Sequence, residues 1–391
     1  MSESRKIFLL NFLSTVLLVV AFGAAFGTGY LVRDRFGPVN SDLPILRQAY
    51  ELLQENGYNP IPAAPKLEYG MIQGMVQAYG DPYTHFAEPI QHQLTSQTLE
   101  GKFGGIGVTL HRDAENVAFL VPIPDGPAAK AGVKEGDRLV QVEDLVIDAA
   151  TTNEQIISKS RGEVGTNVTI AIIRPPDNTK LEFTITRIEI ALPSVTSFIE
   201  PSEPRLGIIK VNVIAAPTAE EIQKAFTDLQ NRGATHFALD LRNNGGGYLE
   251  SGIDIARLFL KTGSVIQQQY KGQEIKTYAV EKPGTLAEVP LVVLVNQNTA
   301  SAAEIISGAL QAQKRAALIG THTYGKDTIQ YVFELKDKSS LSVTAAHWWV
   351  PGIPKFGGTG LQPDIILESA DPLPDQPDPA IQAALKAFFT P

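Results

Sequence analysis

A chain of 391 residues with 43% hydrophobic and 19% charged content has room for two or three domains, each with its own core, and is not a disordered polypeptide. A formal net charge of −9, without runs of lysine or arginine, argues against a nucleic-acid surface. The absence of cysteine excludes disulfides, thiol catalysis and cysteine-ligated zinc, and leaves the compartment open.

Ile7 to Val32 is almost uninterrupted apolar sequence after a short start carrying Arg5 and Lys6. A helix needs roughly 20 residues to cross a bilayer core and a signal-peptide core is about 7–15 long, so residues 1–35 are expected to be a membrane anchor or an uncleaved signal. Arg33 and Arg35 flank Asp34 on the far side, so the charge balance orients the segment only weakly. The expectation is a single pass through the cell membrane with the remainder of the chain extracytoplasmic.

Residues 36–100 read as a tether and a small helical region. Phe36 to Asp42 is rich in turn residues, Leu43 to Asn56 is amphipathic, and after the proline-rich break from Asn59 to Pro65 a second helix is expected from Leu67 to Tyr79. Gly80-Asp81-Pro82 closes it, and Tyr83, His85 and Phe86 follow. With no second cluster of ligands, His85 and His92 read as surface or packing residues.

From residue 101 to 190 the pattern changes to short strands with turn signals. Phe103-Gly104-Gly105-Ile106-Gly107 opens it, followed by strands at Ala118–Val121, Asp137–Val142 and Val168–Ile173, with helices at Pro127–Ala131 and Thr152–Ser160. A glycine-rich loop alone is equally a hairpin or a bulge. The order of elements, with Gly136-Asp137 before a strand, resembles a PDZ domain. That resemblance implies that Phe103, Gly104, Gly105, Ile106 and Gly107 present backbone N–H groups to a peptide carboxylate, the peptide adding as a strand to the sheet edge.

Residues 191–370 alternate strand and helix. Leu206 to Val213 is a strand, Thr218-x-x-Glu221 caps a helix to about Arg232, and Phe237 to Leu241 is the next strand. It runs into Arg242-Asn-Asn-Gly-Gly-Gly247, whose glycines allow close approach of backbone to a bound group. A phosphate loop is the competing reading, but Gly-Lys-Ser/Thr is missing. Pro290 to Asn296 is a continuous apolar run, the signature of a strand buried on both faces. The short stretch Asn296–Ala300 then forces a sharp turn that presents Ser301 at a helix N-terminus, where free N–H groups can stabilise an oxyanion. Ser301-x-x-Glu304 is also a capping box. Arg315 to Gly320 is the following strand and Thr321 to Lys326 a polar loop, with Lys326 placed 25 residues after Ser301 and Gln330 four residues further. In a βαβ unit both loops open on one rim of the sheet, so Ser301 and Lys326 can meet. A lone loop lysine is ordinarily solvated. To act as a base it needs burial that lowers its pKa from roughly 10.4 by about 3 units. Tyr331–Leu335 and Ser339–Trp349 pair as strands, and residues 371–391 form an acidic, proline-rich linker and a terminal helix.

Thr299-Ala-Ser301-Ala-Ala-Glu304 with Tyr324-Gly-Lys326-x-x-x-Gln330 resembles the active-site region of the carboxyl-terminal processing peptidases, also called tail-specific proteases. The helical region with Gly80-Asp-Pro-Tyr-Thr-His-Phe86 and the turn Gly360-x-x-Pro-Asp364 resemble theirs too. The resemblance implies a ClpP/crotonase-like α/β core with an inserted PDZ module, a serine endopeptidase needing no metal or cofactor, and protein or peptide substrates with a free C-terminus. It assigns the nucleophile to Ser301, the general base to Lys326 and the lysine-orienting role to Gln330. The oxyanion donors fall on the amides of Gly246 or Gly247 and Ala302. An arginine near the end of the second PDZ helix, here Arg161, would link peptide binding to the core. Gly245 departs from the family's proline, and Asp327 from a small residue; a carboxylate there would favour protonated Lys326 unless it points away. Two alternatives remain: a Ser–His–Asp hydrolase using Ser301, His322 and Asp240, and a PDZ-bearing peptide-binding scaffold with weak or absent turnover. The sequence leaves a homo-oligomer open.

Overall fold

The computed structural model describes residues 43–372 and 376–389, so the segment expected at 1–35 lies outside the described residues. No helix among those described is long and apolar enough to cross a membrane. The chain divides into two compact units between Gly70 and Met71. In the first, α1 (Pro44–Asn56) starts with proline at its first turn, where the missing N–H is not needed. The helix α2 (Ala64–Tyr79) begins there and runs into the second unit.

The second unit continues with β1 (His85–Ala87) and α3 (Pro89–Glu100). Sequence reading missed α3, since Pro-Ile-Gln-His-Gln-Leu-Thr-Ser-Gln-Thr-Leu-Glu carries only a faint apolar stripe. Its start is marked by proline and its end by left-handed Gly101 (φ 73°).

The strand β2 (Lys102–Gly105) leads into the PDZ module, made of β3 (Val108–Arg112), β4 (Ala118–Pro122), α4 (Pro127–Ala131), β5 (Asp137–Val142), β6 (Leu145–Val146), α5 (Asn153–Ser160), β7 (Asn167–Arg174) and β8 (Thr179–Thr186). Its antiparallel sheet has the order β3-β4-β5-β7-β8, with β6 beside β5. Leu120, Val142, Ile156, Val168, Ile170 and Ile172 form its core. The chain leaves through β9 (Ile188–Ala191), which pairs antiparallel with β2 from Lys102 opposite Ala191 to Gly105 opposite Ile188. The expected glycine-rich loop is thus half strand: only Ile106 and Gly107 turn the chain into β3. Gly104 explains why, because its carbonyl accepts from the Gly162 amide at 3.0 Å and a Cβ there would lie 2.1 Å from the Gly162 oxygen.

The remaining core contains β10 (Val195–Ile199), β11 (Leu206–Val211), α6 (Thr218–Asn231), β12 (His236–Asp240), α7 (Leu249–Phe259), β13 (Ser264–Tyr270), β14 (Lys276–Ala279), β15 (Leu291–Val295), α8 (Ala302–Ala312), β16 (Ala317–Gly320), β17 (Thr328–Glu334), β18 (Ser340–Trp349), β19 (Ile365–Ile366) and α9 (Pro379–Phe389). One sheet has the order β10-β11-β12-β15-β16-β19, parallel from β11 onward. Alternate residues face opposite sides, so Ile209, Leu239, Val293 and Leu318 pack with α6, α7 and α8, while Ile208, Ala238, Val292 and Ile319 pack against Ala380, Ile381 and Ala384 of α9. The terminal helix is what buries the second face. A second sheet runs β1-β18-β13-β14 with β17 on β18, and a bulge at Ala345 of β18 shifts the register opposite Ile329 and Gln330.

Candidate active site

Three loops leave the carboxyl ends of β12, β15 and β16 on the same rim and are bonded to one another. The Thr299 hydroxyl donates to the Leu241 carbonyl at 2.9 Å, the Ala300 amide to the Asn244 carbonyl at 2.9 Å, and the Tyr324 amide to the Thr299 carbonyl at 3.0 Å. Buried Asn244 donates to the Val211 carbonyl and accepts the Gly246 amide, each at 2.8 Å. Of the three backbone donors expected at an oxyanion hole, Gly246 is therefore committed within its own loop. The amides of Gly247 and Ala302 donate to no group among the described residues.

Ser301 sits at the N-terminus of α8 with φ 57° and ψ −122°, a conformation uncommon for a residue with a side chain and held here by the turn on one side and the helix on the other. Gly246 lies directly against it: a Cβ on Gly246 would be 2.8 Å from Ser301 Cβ and 3.0 Å from the Ala302 nitrogen.

Glu304, fully buried, does more than cap α8. Its Oε2 accepts from the Ser301 and Lys326 amides, both at 2.9 Å, and its Oε1 from the Thr323 hydroxyl at 2.6 Å and the Gly325 amide at 2.7 Å. One carboxylate thus fixes the serine turn and the lysine loop relative to each other. Burial pushes its pKa up against the pull of these four donors, all of which are satisfied together only by the ionised form. The capping-box spacing marked Glu304, but no sequence signal announced partners some twenty residues away.

Lys326 is largely buried, and this desolvation lowers its pKa, with the carboxylates of Glu304 and Asp81 opposing. Asp327 does not figure among those carboxylates. Its side chain lies against Gly357, and its Oδ2 is 3.8 Å from His347 Nδ1. No hydrogen bond joins Lys326 Nζ to Ser301 Oγ among the described residues.

Residues 205–367 match the model of peptidase family S41, and residues 119–174 that of the PDZ domain. The carboxyl-terminal-processing protease of Picosynechococcus sp. is 34% identical over 307 residues, covering 76% of this chain and 72% of that protein. The chain belongs to the carboxyl-terminal processing proteases of family S41. The protein of the same name from Synechocystis sp. is 32% identical, covering 77% of this chain and 71% of its own. The carboxy-terminal processing protease CtpA of Bacillus subtilis is 32% identical, with 83% and 69% covered. The protein is a serine-type C-terminal processing peptidase with a PDZ domain.

In the peptidase, Gln330 faces Thr344 across β17 and β18, and its amide donates to the hydroxyls of Thr328 at 2.9 Å and Thr344 at 3.2 Å. The structure does not bond it to Lys326. Nor does it assemble Ser301, His322 and Asp240: Asp240 forms a bidentate pair with Arg242, and His322 Nδ1 lies 3.1 Å from the Thr323 carbonyl. Arg242, itself buried, also binds both oxygens of Asp378 at the start of α9. Asn296 donates to Asp371 at 2.7 Å and to Asn243 at 2.9 Å.

The PDZ groove, about 300 Å³, lies between β3 and α5 and is lined by Ile106, Val108, Leu110, Leu139 and Ile156. The carbonyls of Ile106 and Gly107 are held by the amides of Ala128 and Ile123 at 2.9 Å. Phe103 and Arg161 meet at the groove, the guanidinium 3.7 Å over the ring centroid and bonded to Gln97 of α3 at 2.9 Å. Arg161 is thus no solvated helix-end residue.

Proposed function

We propose that the peptidase cleaves proteins chosen by their C-terminal tails, with Ser301 as nucleophile and Lys326 as general base. The observation that carries this reading is the shared Glu304 carboxylate, which places a helix-terminal serine and a desolvated lysine on adjoining loops. Neutral Lys326 takes the Ser301 proton, and the alkoxide attacks the scissile carbonyl. The free amides of Gly247 and Ala302 hold the oxyanion. The lysine then gives its proton to the leaving amine, and water releases the acyl group. The amide donors of Gln330 are occupied by Thr328 and Thr344, so its carbonyl oxygen is the atom left to orient the lysine.

The tail carboxylate binds at Ile106 and Gly107, whose amides donate to no group among the described residues, and the apolar groove takes a small or apolar terminal side chain. The apolar run from Ile7 to Val32 anchors the protein in the cell membrane with the catalytic part extracytoplasmic. Cleavage of one protein carrying a free apolar tail, its amidated form or a tail ending in aspartate tests the selection, and equal rates would end that part of the proposal. Lys326→Ala should abolish cleavage and His322→Ala spare most of it; the reverse would replace Ser–Lys by a histidine mechanism. Membrane fractionation resistant to alkali tests the anchor.

A further inference from the structure

The turn between α2 and β1 reaches the lysine. Lys326 Nζ lies 5.3 Å from the centroid of the Tyr83 ring. The Tyr83 amide donates to Asp81 Oδ1 at 3.2 Å, and the Thr84 hydroxyl donates to Asp81 Oδ2. Thr84 Oγ1 in turn accepts the Thr344 amide at 3.2 Å, and Thr344 Oγ1 accepts the Gln330 amide at 3.2 Å. One short turn therefore offers an aromatic face and a carboxylate to Lys326 and is bolted to the strand pair that carries Gln330.

We propose that Asp81 and Tyr83 are positioning residues for the lysine base: they hold the protonated ammonium over the tyrosine ring, withdrawn from Ser301, and release the amine toward Ser301 once its proton is lost to water. The inference rests on the Ser–Lys reading above. A ring face and a carboxylate attract only the charged form, so the neutral amine has nothing to keep it there. Facing this site are Glu304 from α8, Asp81 and Tyr83 from the turn, Tyr324 and Asp327 from the lysine's own loop, and His347 of β18 beside Asp327. Burial of Lys326 favours the neutral, active form, and Asp81 and Tyr83 oppose it.

The test is the pH dependence of kcat/KM for the full chain cleaving a protein with a free apolar tail. Tyr83→Leu should move the acid limb to lower pH by about 0.4 to 1.5 units, as expected for loss of a partly desolvated cation–π contact. Asp81→Asn should move it the same way, and Tyr83→Phe, which keeps the ring, should leave it in place. An unmoved limb in a folded Tyr83→Leu protein would overturn the proposal, as would an equal shift in Tyr83→Phe. If Tyr83→Leu does not fold, Asp81→Asn decides alone. Lys326→Ala separates the two levels: an active variant removes the Ser–Lys reading and this proposal with it, whereas an inactive variant beside an unmoved limb removes only the positioning role.

Discussion

Replacing Glu304 by glutamine removes a charge and one acceptor while keeping the shape. Whichever way the amide is turned, its NH2 group faces two donors that the carboxylate now satisfies: the Thr323 hydroxyl and Gly325 amide, or the Ser301 and Lys326 amides. The site admits no solvent at this side chain, so each donor left unpaired costs roughly 1–3 kcal/mol, and the pair about 2–6 kcal/mol. For a core of this size that is a fall in Tm on the order of 5–20 °C. Catalysis should suffer beyond the loss of folded protein, because the serine turn and lysine loop would separate and a misplacement of about 1 Å can cost on the order of a hundredfold in rate. Thermal denaturation with kcat measured well below the transition would read both effects. A Glu304→Gln protein with wild-type Tm and wild-type kcat would refute the view that this carboxylate joins the two loops.

Three further outcomes are expected. Gly246→Ala should lose turnover by a hundredfold or more, since its Cβ would meet Ser301 and backbone atoms at 3.0 Å or less at a φ of +100°; a kcat within a few-fold of wild type would count against the packing described. Asp378→Ala should lower stability by about 1.5–3 kcal/mol through loss of charged hydrogen bonds to buried Arg242, read by denaturant unfolding, and an unchanged midpoint would show that α9 is held without it. Arg187→Met should unfold the PDZ module at lower temperature, because Arg187 donates to the carbonyls of Lys159 and Ser160 at the end of α5 and of Asn167 at the start of β7; calorimetry resolving that transition would check it.

What could be read from sequence was local. The run Leu291–Val295 is buried at every position, and the turn after it delivers Ser301 to a helix start, because β-branched runs and capping spacing act within a few residues. The three strands and two helices of the PDZ module marked by apolar runs and turn residues are all present. What escaped was set at a distance. β13, Ser-Val-Ile-Gln-Gln-Gln-Tyr, has a polar half that becomes a strand only by pairing with β14 and β18. The placement of Lys102–Gly105 in a strand depends on β9, more than 80 residues later. Asp81 and Tyr83 lie some 240 residues before the lysine they approach, and nothing in their own neighbourhood foretells it.

The pairing of Arg242 with Asp378, and of Asn296 with Asp371, makes the segment from Asp371 through α9 a brace for the loops of the site. Without α9, the face of β12 and β15 opposite α6, α7 and α8 would be bare and Arg242 would lack one of its two carboxylates. The loops that carry Arg242 and Asn296 gain these partners only when α9 and the segment before it dock, so a chain shortened to β19 would hold Ser301 and Lys326 without that brace. Support of these loops is thereby tied to the docking of α9.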